Sequence, residues 1–361
     1  MSADDHRHEI EEFELAPNEN GDRRPGREVE QEVRDAFEAT GYEIKRVVVG
    51  QDAMLERVLV ALLAGGHVLL EGVPGLAKTL TVKTLARVVG GSFSRIQFTP
   101  DLVPSDLVGT RIYRPDSGRF DTELGPVISN FLLADEINRA PAKVQSALLE
   151  VMQEHQVTIG GATYRTPEPF LVLATQNPIE SEGTYPLPEA QVDRFLMKLV
   201  VDYPSSPEEA AIVNRVVGPG LEVAERLSAE ELLRFRALAG EVYVDRDVVQ
   251  HAVELVDATR RPARYGLEQL EPLIEFGASP RGSIGLVEAA RGLALLRGRW
   301  HVTPNDVRAL AADVLRHRLV LTYDAISDGV GPDEILDRVL AAVPAPASAD
   351  RLAADEVAEA A

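Results

Sequence analysis

The strongest chemical signal in the chain is Gly72-Val73-Pro74-Gly75-Leu76-Ala77-Lys78-Thr79. It follows the apolar run His67–Glu71 and opens a helical stretch. A bound phosphate needs a ring of backbone N–H groups and the positive end of a helix. Gly72 and Gly75 let the backbone wrap closely, and Val73, Pro74, Leu76 and Ala77 complete the turn. Lys78 is expected to reach the β- and γ-phosphates of a nucleotide, and the Thr79 hydroxyl to ligate Mg²⁺. Position 77 departs from the general pattern, which has Gly there. If the site needs a positive φ, Ala costs about 1 kcal/mol. Read alone, the segment also fits a chance Gly-rich turn before a helix.

A second signal is Phe131-Leu132-Leu133-Ala134-Asp135-Glu136. An apolar strand ending in two acids puts carboxylates at the C-terminal edge of a sheet, where α/β folds bind ligands. Asp135 would hold Mg²⁺, mostly through water, and Glu136 would orient and polarise the attacking water. Strands also end in acids merely at a solvated edge. The pair gains weight because it follows Lys78 with one strand between them. In Leu171–Pro178 another apolar strand ends near Asn177, whose amide could hold the water or the γ-phosphate; Asn-Pro is otherwise a plain turn. Arg194, in Ala190–Phe195, has the bland alternative of a surface ion pair. Arg281, in Ser279-Pro280-Arg281-Gly282, has that of an exposed residue behind a capping Ser.

These residues need elements to position them. Val29, Val33, Ala36 and Phe37 have helical spacing, which predicts a helix from about 28 to 47 with Gly41 as its weak point. Another helix is expected over 51–64. Short apolar runs at 67–71, 96–98, 131–134 and 170–174 read as buried parallel strands, with helices over 78–89 and 141–154 between them. Residues 99–126 and 155–168 form inserts, the second a plausible hairpin. Beyond about Asp202 the pattern becomes Ala/Leu-rich and helical, at 207–216, 228–240, 246–261, 282–298 and 304–316. Thr303-Pro304-Asn305-Asp306 marks a helix start with Pro in the first position. The expected organisation is a disordered acidic tail (1–27), a P-loop parallel α/β core (28–203), a smaller all-α lid (204–342) and an Ala/Pro-rich disordered tail (343–361).

Composition narrows the function classes. Of 361 residues, 45% are hydrophobic, enough for a sizeable core. A net charge of −21 repels phosphate backbones and argues against a broad nucleic-acid grip. There is no cysteine, which excludes disulfides, thiolate metal sites and cysteine nucleophiles. The acidic start lacks the apolar stretch of a signal peptide, and no run approaches the roughly 20 apolar residues of a membrane span. The expected location is the cytoplasm.

In order, the strings GVPGLAKT, FLLADEINRAP, ATQNP, LPEAQVDRF, ASPRG and LRHRLVL resemble the AAA+ ATPases and, within them, the MoxR family, over residues 35 to 325. That family's loop commonly has Ala before the Lys, so Ala77 fits the subgroup. The resemblance implies ATP hydrolysis with Mg²⁺. It places Gly50 and Gln51 near the adenine, Lys78 and Thr79 on the phosphates and metal, and Asp135 and Glu136 as metal-site and water-activating acids. Asn177 matches sensor 1. Arg194 matches an arginine finger given to a neighbouring subunit, and Arg281 matches sensor 2, acting on the nucleotide of its own subunit. Arg139 would face either a subunit interface or solvent. The resemblance also implies a homo-oligomeric ring of six acting on protein clients, often with a von Willebrand A-like domain. The two inserts, carrying Tyr113 and Phe120, would then face the pore; otherwise they are ordinary hairpins. A metal-chelatase-like motor, a nucleic-acid motor and a degenerate nucleotide-binding scaffold are the competing functions.

Overall fold

The computed structural model describes residues 27–72, 78–177, 184–217 and 221–346. The expectation of disordered tails falls largely outside them. The chain begins with α1 (Arg27–Lys45) and α2 (Asp52–Ala64), followed by β1 (Val68–Glu71), α3 (Lys78–Val88) and β2 (Phe93–Gln97). The first insert contains α4 (Pro104–Val108), β3 (Gly109–Arg114) and β4 (Arg119–Leu124). The sheet resumes with β5 (Phe131–Asp135); α5 (Ala142–Glu154) leads to a hairpin of β6 (Gln156–Ile159) and β7 (Ala162–Arg165). β8 (Leu171–Gln176), α6 (Glu189–Val192) and β9 (Met197–Val200) complete the core.

The five core strands are parallel, in the order β2-β5-β8-β1-β9. Strand runs without polar residues sit at the centre because both faces of the sheet are covered. Alternate residues feed two cores. Val68, Leu70 and Leu133 face one apolar cluster; Leu69, Leu132, Ala134 and Val172 face the other, under α5. β9 was not foreseen. Its Lys198 and exposed Val200 break the apolar run, as an edge strand allows. β2 begins at Phe93, earlier than expected, because it too is an edge strand and alternates in exposure.

The rest is helical: α7 (Ser206–Val217), α8 (Ala229–Glu241), α9 (Arg246–Arg260), α10 (Pro280–Leu296), α11 (Pro304–Leu315), α12 (Tyr323–Ser327) and α13 (Pro332–Ala342). A two-stranded antiparallel ribbon, β10 (Ile274–Phe276) with β11 (Val320–Leu321), interrupts them. The ribbon, α12 and α13 were not anticipated. The expected start at Thr303 is a full capping box: its hydroxyl accepts from the Asp306 N–H while the Asp306 carboxylate accepts from the Thr303 N–H. α1 runs through Gly41 without a break.

α2 explains how the two parts join. Eight of its 13 residues are buried, around most of its circumference, and a helix apolar all round needs cover on every side. It packs on α10 and α8, and the larger apolar cluster is continuous from α1 and α2 into the helical part. Gly292 allows the close approach of α10. A Cβ there would lie 3.1 Å from the Val60 carbonyl oxygen.

Candidate functional site

β1 lies between β8 and β9, so the chain leaves the sheet beside its central strand, where the strand order switches. The crevice beyond the C-terminal ends of those strands is the natural ligand position. Gly72 sits there. Its N–H donates to the Gln176 carbonyl (3.3 Å), and a Cβ would stand 2.5 Å from the Val201 carbonyl oxygen, so only glycine fits against β9. Val73, Pro74, Gly75, Leu76 and Ala77 lie outside the described residues. The chain is described again at Lys78, the first residue of α3, whose Nζ donates to the Gly72 carbonyl at 2.6 Å. Burial pushes the Lys78 ammonium below its ordinary pKa, while Asp135, Glu71 and Glu136 pull it back up. Thr79 follows on α3.

Asp135 ends β5 beside this point. Its Oδ1 accepts from the Thr175 hydroxyl (2.7 Å). Its Oδ2 accepts from Arg95 Nη2 (2.6 Å) and Nε (3.2 Å). Glu136 adopts φ +57, a left-handed conformation that costs a non-glycine residue about 1–3 kcal/mol. That turn takes its side chain off the strand line. Its N–H donates to Thr175 Oγ1 (2.9 Å); its Oε2 accepts from Gln97 Nε2 (2.8 Å) and pairs with Arg139 Nε (2.9 Å). Buried Gln145 holds the following turn, donating to the carbonyls of Ile137, Ala140 and Tyr185.

Asn177, one residue beyond β8, is buried and lines a cavity of about 660 Å³ with Glu71, Gln176, Lys198 and Arg316. Lys198 pairs with Glu71 at 2.7 Å. Gly50 and Gln51, both with positive φ, precede α2, and Gln51 Nε2 donates to the Asp202 carbonyl just past β9. Lys78, Thr79, Asp135, Glu136, Asn177, Gly50 and Gln51 therefore share the C-terminal edge of the sheet.

Arg194 and Arg281 do not. Both line a separate pocket of about 250 Å³ with Gly65, Gly66 and Leu196. Those residues precede β1 and β9, so the pocket is at the N-terminal end of the strands. β1 alone separates the two ends by about 13 Å, at a strand rise of about 3.3 Å per residue. Arg281, expected on the nucleotide of its own subunit, lies in this second pocket. The start of α10 is tied to the segment before β9 through Ser279, whose hydroxyl donates to Asp193 Oδ2 at 2.9 Å. Arg139 pairs with Glu136 of its own chain while its side chain stays 39% exposed.

Arg95, Gln97 and Thr175 escaped the sequence reading. Arg95 and Gln97 are two residues apart on β2 and share a face, and Gln97 stands in register with Asp135. That pairing was the only signal, and it needs the strand order. Chemically, the edge offers a hydroxyl and a carboxylate to a hard cation, with room for water in the other positions, which suits Mg²⁺. The Arg95 guanidinium on Asp135 shows that this carboxylate takes a cationic partner. Among the described residues no cluster of three or more metal-ligating side chains occurs, and no helix is long and apolar enough to cross a membrane.

Residues 67–197 match the model of the ATPase family associated with various cellular activities (AAA), and residues 267–339 match the AAA lid domain. The chain is similar to Chaperone MoxR1 of Mycobacterium tuberculosis, with 60% identity over 305 residues, 84% of this chain and 81% of that protein. It is 34% identical over 344 residues to Protein MoxR of Methylorubrum extorquens, covering 90% and 99% of the two chains. The crystal structure of a candidate ATPase from Cytophaga hutchinsonii superposes with a TM-score of 0.84 at 48% identity, over 88% of this chain and 97% of that one.

Proposed function

The chain belongs to the MoxR family of AAA+ ATPases, and on that premise we propose that it works in the cytoplasm as a ring of six subunits, using ATP to remodel protein clients. As a chaperone-like ATPase it binds nucleotide; the finer roles that follow are our reading. Lys78 holds the β- and γ-phosphates, Thr79 and Asp135 hold Mg²⁺, and Gly50 and Gln51 lie against the adenine. Bound there, the metal would neutralise charge on the phosphates. Glu136 accepts the proton of the attacking water once Gln97 and Arg139 release its carboxylate, and Asn177 orients that water.

The observation that carries the ring is the separation of Arg194 and Arg281 from Lys78, Asp135 and Glu136 by the length of the sheet. Neither arginine lines the nucleotide edge of its own chain. In a ring each pocket would face the phosphates bound to the next subunit, so both arginines act in trans. Sedimentation of Glu136→Gln with ATP and Mg²⁺ tests this: a hexamer is expected, and a monomer at every concentration would contradict it.

The inserts support a protein client. β3 and β4 form a hairpin that exposes Tyr113 and Phe120, their rings 5.2 Å apart with Arg111 stacked over Phe120. It touches the β6–β7 hairpin: the Tyr164 hydroxyl donates to Thr122 Oγ1 at 3.2 Å. α5 leads from the turn after Glu136 into that second hairpin, a direct path from catalytic acid to client surface. Clients with a von Willebrand A-like domain are our expectation. Purified protein of that class should bind the ATP-trapped Glu136→Gln form most strongly. Tight, salt-sensitive DNA or RNA binding would favour the nucleic-acid motor instead, against the net charge of −21.

A further inference from the structure

We propose that Arg95 is a tethered counter-cation of the metal site: it holds Asp135 Oδ2 and yields it when Mg²⁺ and nucleotide bind, so Arg95 sets how much Mg²⁺ the site requires. The proposal rests on Asp135 being the metal-site acid.

The geometry assigns the two carboxylate oxygens of Asp135 different partners. Oδ1 is turned toward β8 and accepts from the Thr175 hydroxyl. Oδ2 receives both Nη2 and Nε of Arg95. Competition between the guanidinium and a metal ion is therefore over a single oxygen. The neighbouring acids are served by other cations: Glu71 by Lys198, and Glu136 by Arg139. Lys78 is directed at the Gly72 carbonyl. Arg95 is thus the cation hydrogen-bonded to Asp135, on which Lys78 acts only through space.

Its tether suits release. Arg95 sits on the edge strand β2, and its side chain is 48% exposed whereas that of Asp135 is 19% exposed. The long side chain can swing into solvent without disturbing the sheet. Half-exposed ion pairs are weak, so a doubly charged ion helped by a nucleotide can displace this one. The same guanidinium donates from Nη2 to Gln97 Oε1 at 3.0 Å. That bond fixes the Gln97 amide so that its NH₂ faces Glu136. Arg95 consequently touches Asp135 itself and Gln97, a partner of Glu136.

The test is a Mg²⁺ titration of binding, independent of turnover. Full-length protein binds N-methylanthraniloyl-ATP, and fluorescence reports the Mg²⁺ half-saturation point. Arg95→Gln should lower it by about fivefold, the upper range for an exposed pair. Arg95→Met should do the same, which excludes an effect peculiar to the amide. In an Asp135→Asn background, Arg95→Gln should change nothing further, because the carboxylate charge that Arg95 and Mg²⁺ compete for is gone. An unchanged or raised half-saturation in both Arg95 variants, with wild-type melting temperatures, overturns the proposal and makes Arg95 a scaffold for Asp135. If Asp135→Asn alone leaves the Mg²⁺ requirement unchanged, the metal-site reading itself fails and the proposal falls with it.

Discussion

The two ends of the central sheet are built from opposite materials. At the C-terminal edge, acids are held in place: Asp135 between Thr175 and Arg95, and Glu136 in a left-handed turn between Gln97 and Arg139. At the N-terminal end an acid, Asp193, holds an arginine. Nearly buried Arg318 donates from Nε to Asp193 Oδ1 at 2.8 Å and from Nη2 to the Phe195 carbonyl at 2.7 Å. Ser279 binds the same carboxylate from the start of α10. Asp193 thereby ties the segment that carries Arg194, before β9, to the start of α10, which carries Arg281. One end is suited to a metal and polyphosphate, the other to an anion presented from outside.

Variants can break this comparison at either end. Removing the arginine end should cost most. Arg194→Ala is expected to lower turnover by about 10³–10⁵-fold, the range for arginine fingers, and Arg281→Ala by about 10²–10³-fold, as for loss of one charge-stabilising donor. Both should bind ATP normally, because neither arginine reaches the pocket of its own chain. An Arg281→Ala protein that has lost ATP affinity as a dilute monomer would return that residue to its own subunit's site. Steady-state turnover beside equilibrium nucleotide binding decides.

At the acid end, binding and chemistry should separate. Glu136→Gln keeps ATP but loses about 10²–10⁴-fold in turnover, the usual share of a general base. Lys78→Ala should weaken ATP binding by about 10- to 150-fold, the value of a hydrogen bond to a charged group. Wild-type hydrolysis by Glu136→Gln would mean that another residue activates the water.

The smallest effect on basal turnover is expected away from both ends. Tyr113→Ala and Phe120→Ala remove exposed rings from the β3–β4 hairpin. Client-stimulated turnover should fall while basal hydrolysis and melting temperature hold. A drop in melting temperature would show that the rings only pack each other.

The acid end was largely legible in the sequence because parallel strands place their chemistry at their last residues. Apolar runs ending near Glu71, Asp135 and Asn177 pointed to one edge. The second hairpin was legible too, since Val157 and Ile159 are buried on one face and Gly160-Gly161 supplies two positive φ values at the turn. Strand β9 was not, because Lys198 and Val200 on an exposed edge erase the apolar signal. Arg95 and Gln97 were invisible for a different reason: their meaning comes from lying beside β5, which strand order alone reveals. The position of Arg281 depended on which end of the sheet α10 approaches. Local spacing carries nothing about that; buried α2, packed on α10, decides it.

The most direct test of the two-ended account is subunit mixing. Arg194→Ala and Glu136→Gln proteins, each inactive alone, are combined in equal amounts with ATP and Mg²⁺, and phosphate release is measured. Junctions that pair the intact Glu136 of one variant with the intact Arg194 of the other should recover a substantial part of wild-type turnover. Recovery should vanish when Lys78→Ala is added to the Arg194→Ala chain. No recovery in mixed assemblies confirmed by sedimentation would contradict the account, because Arg194 would then not be acting across the junction.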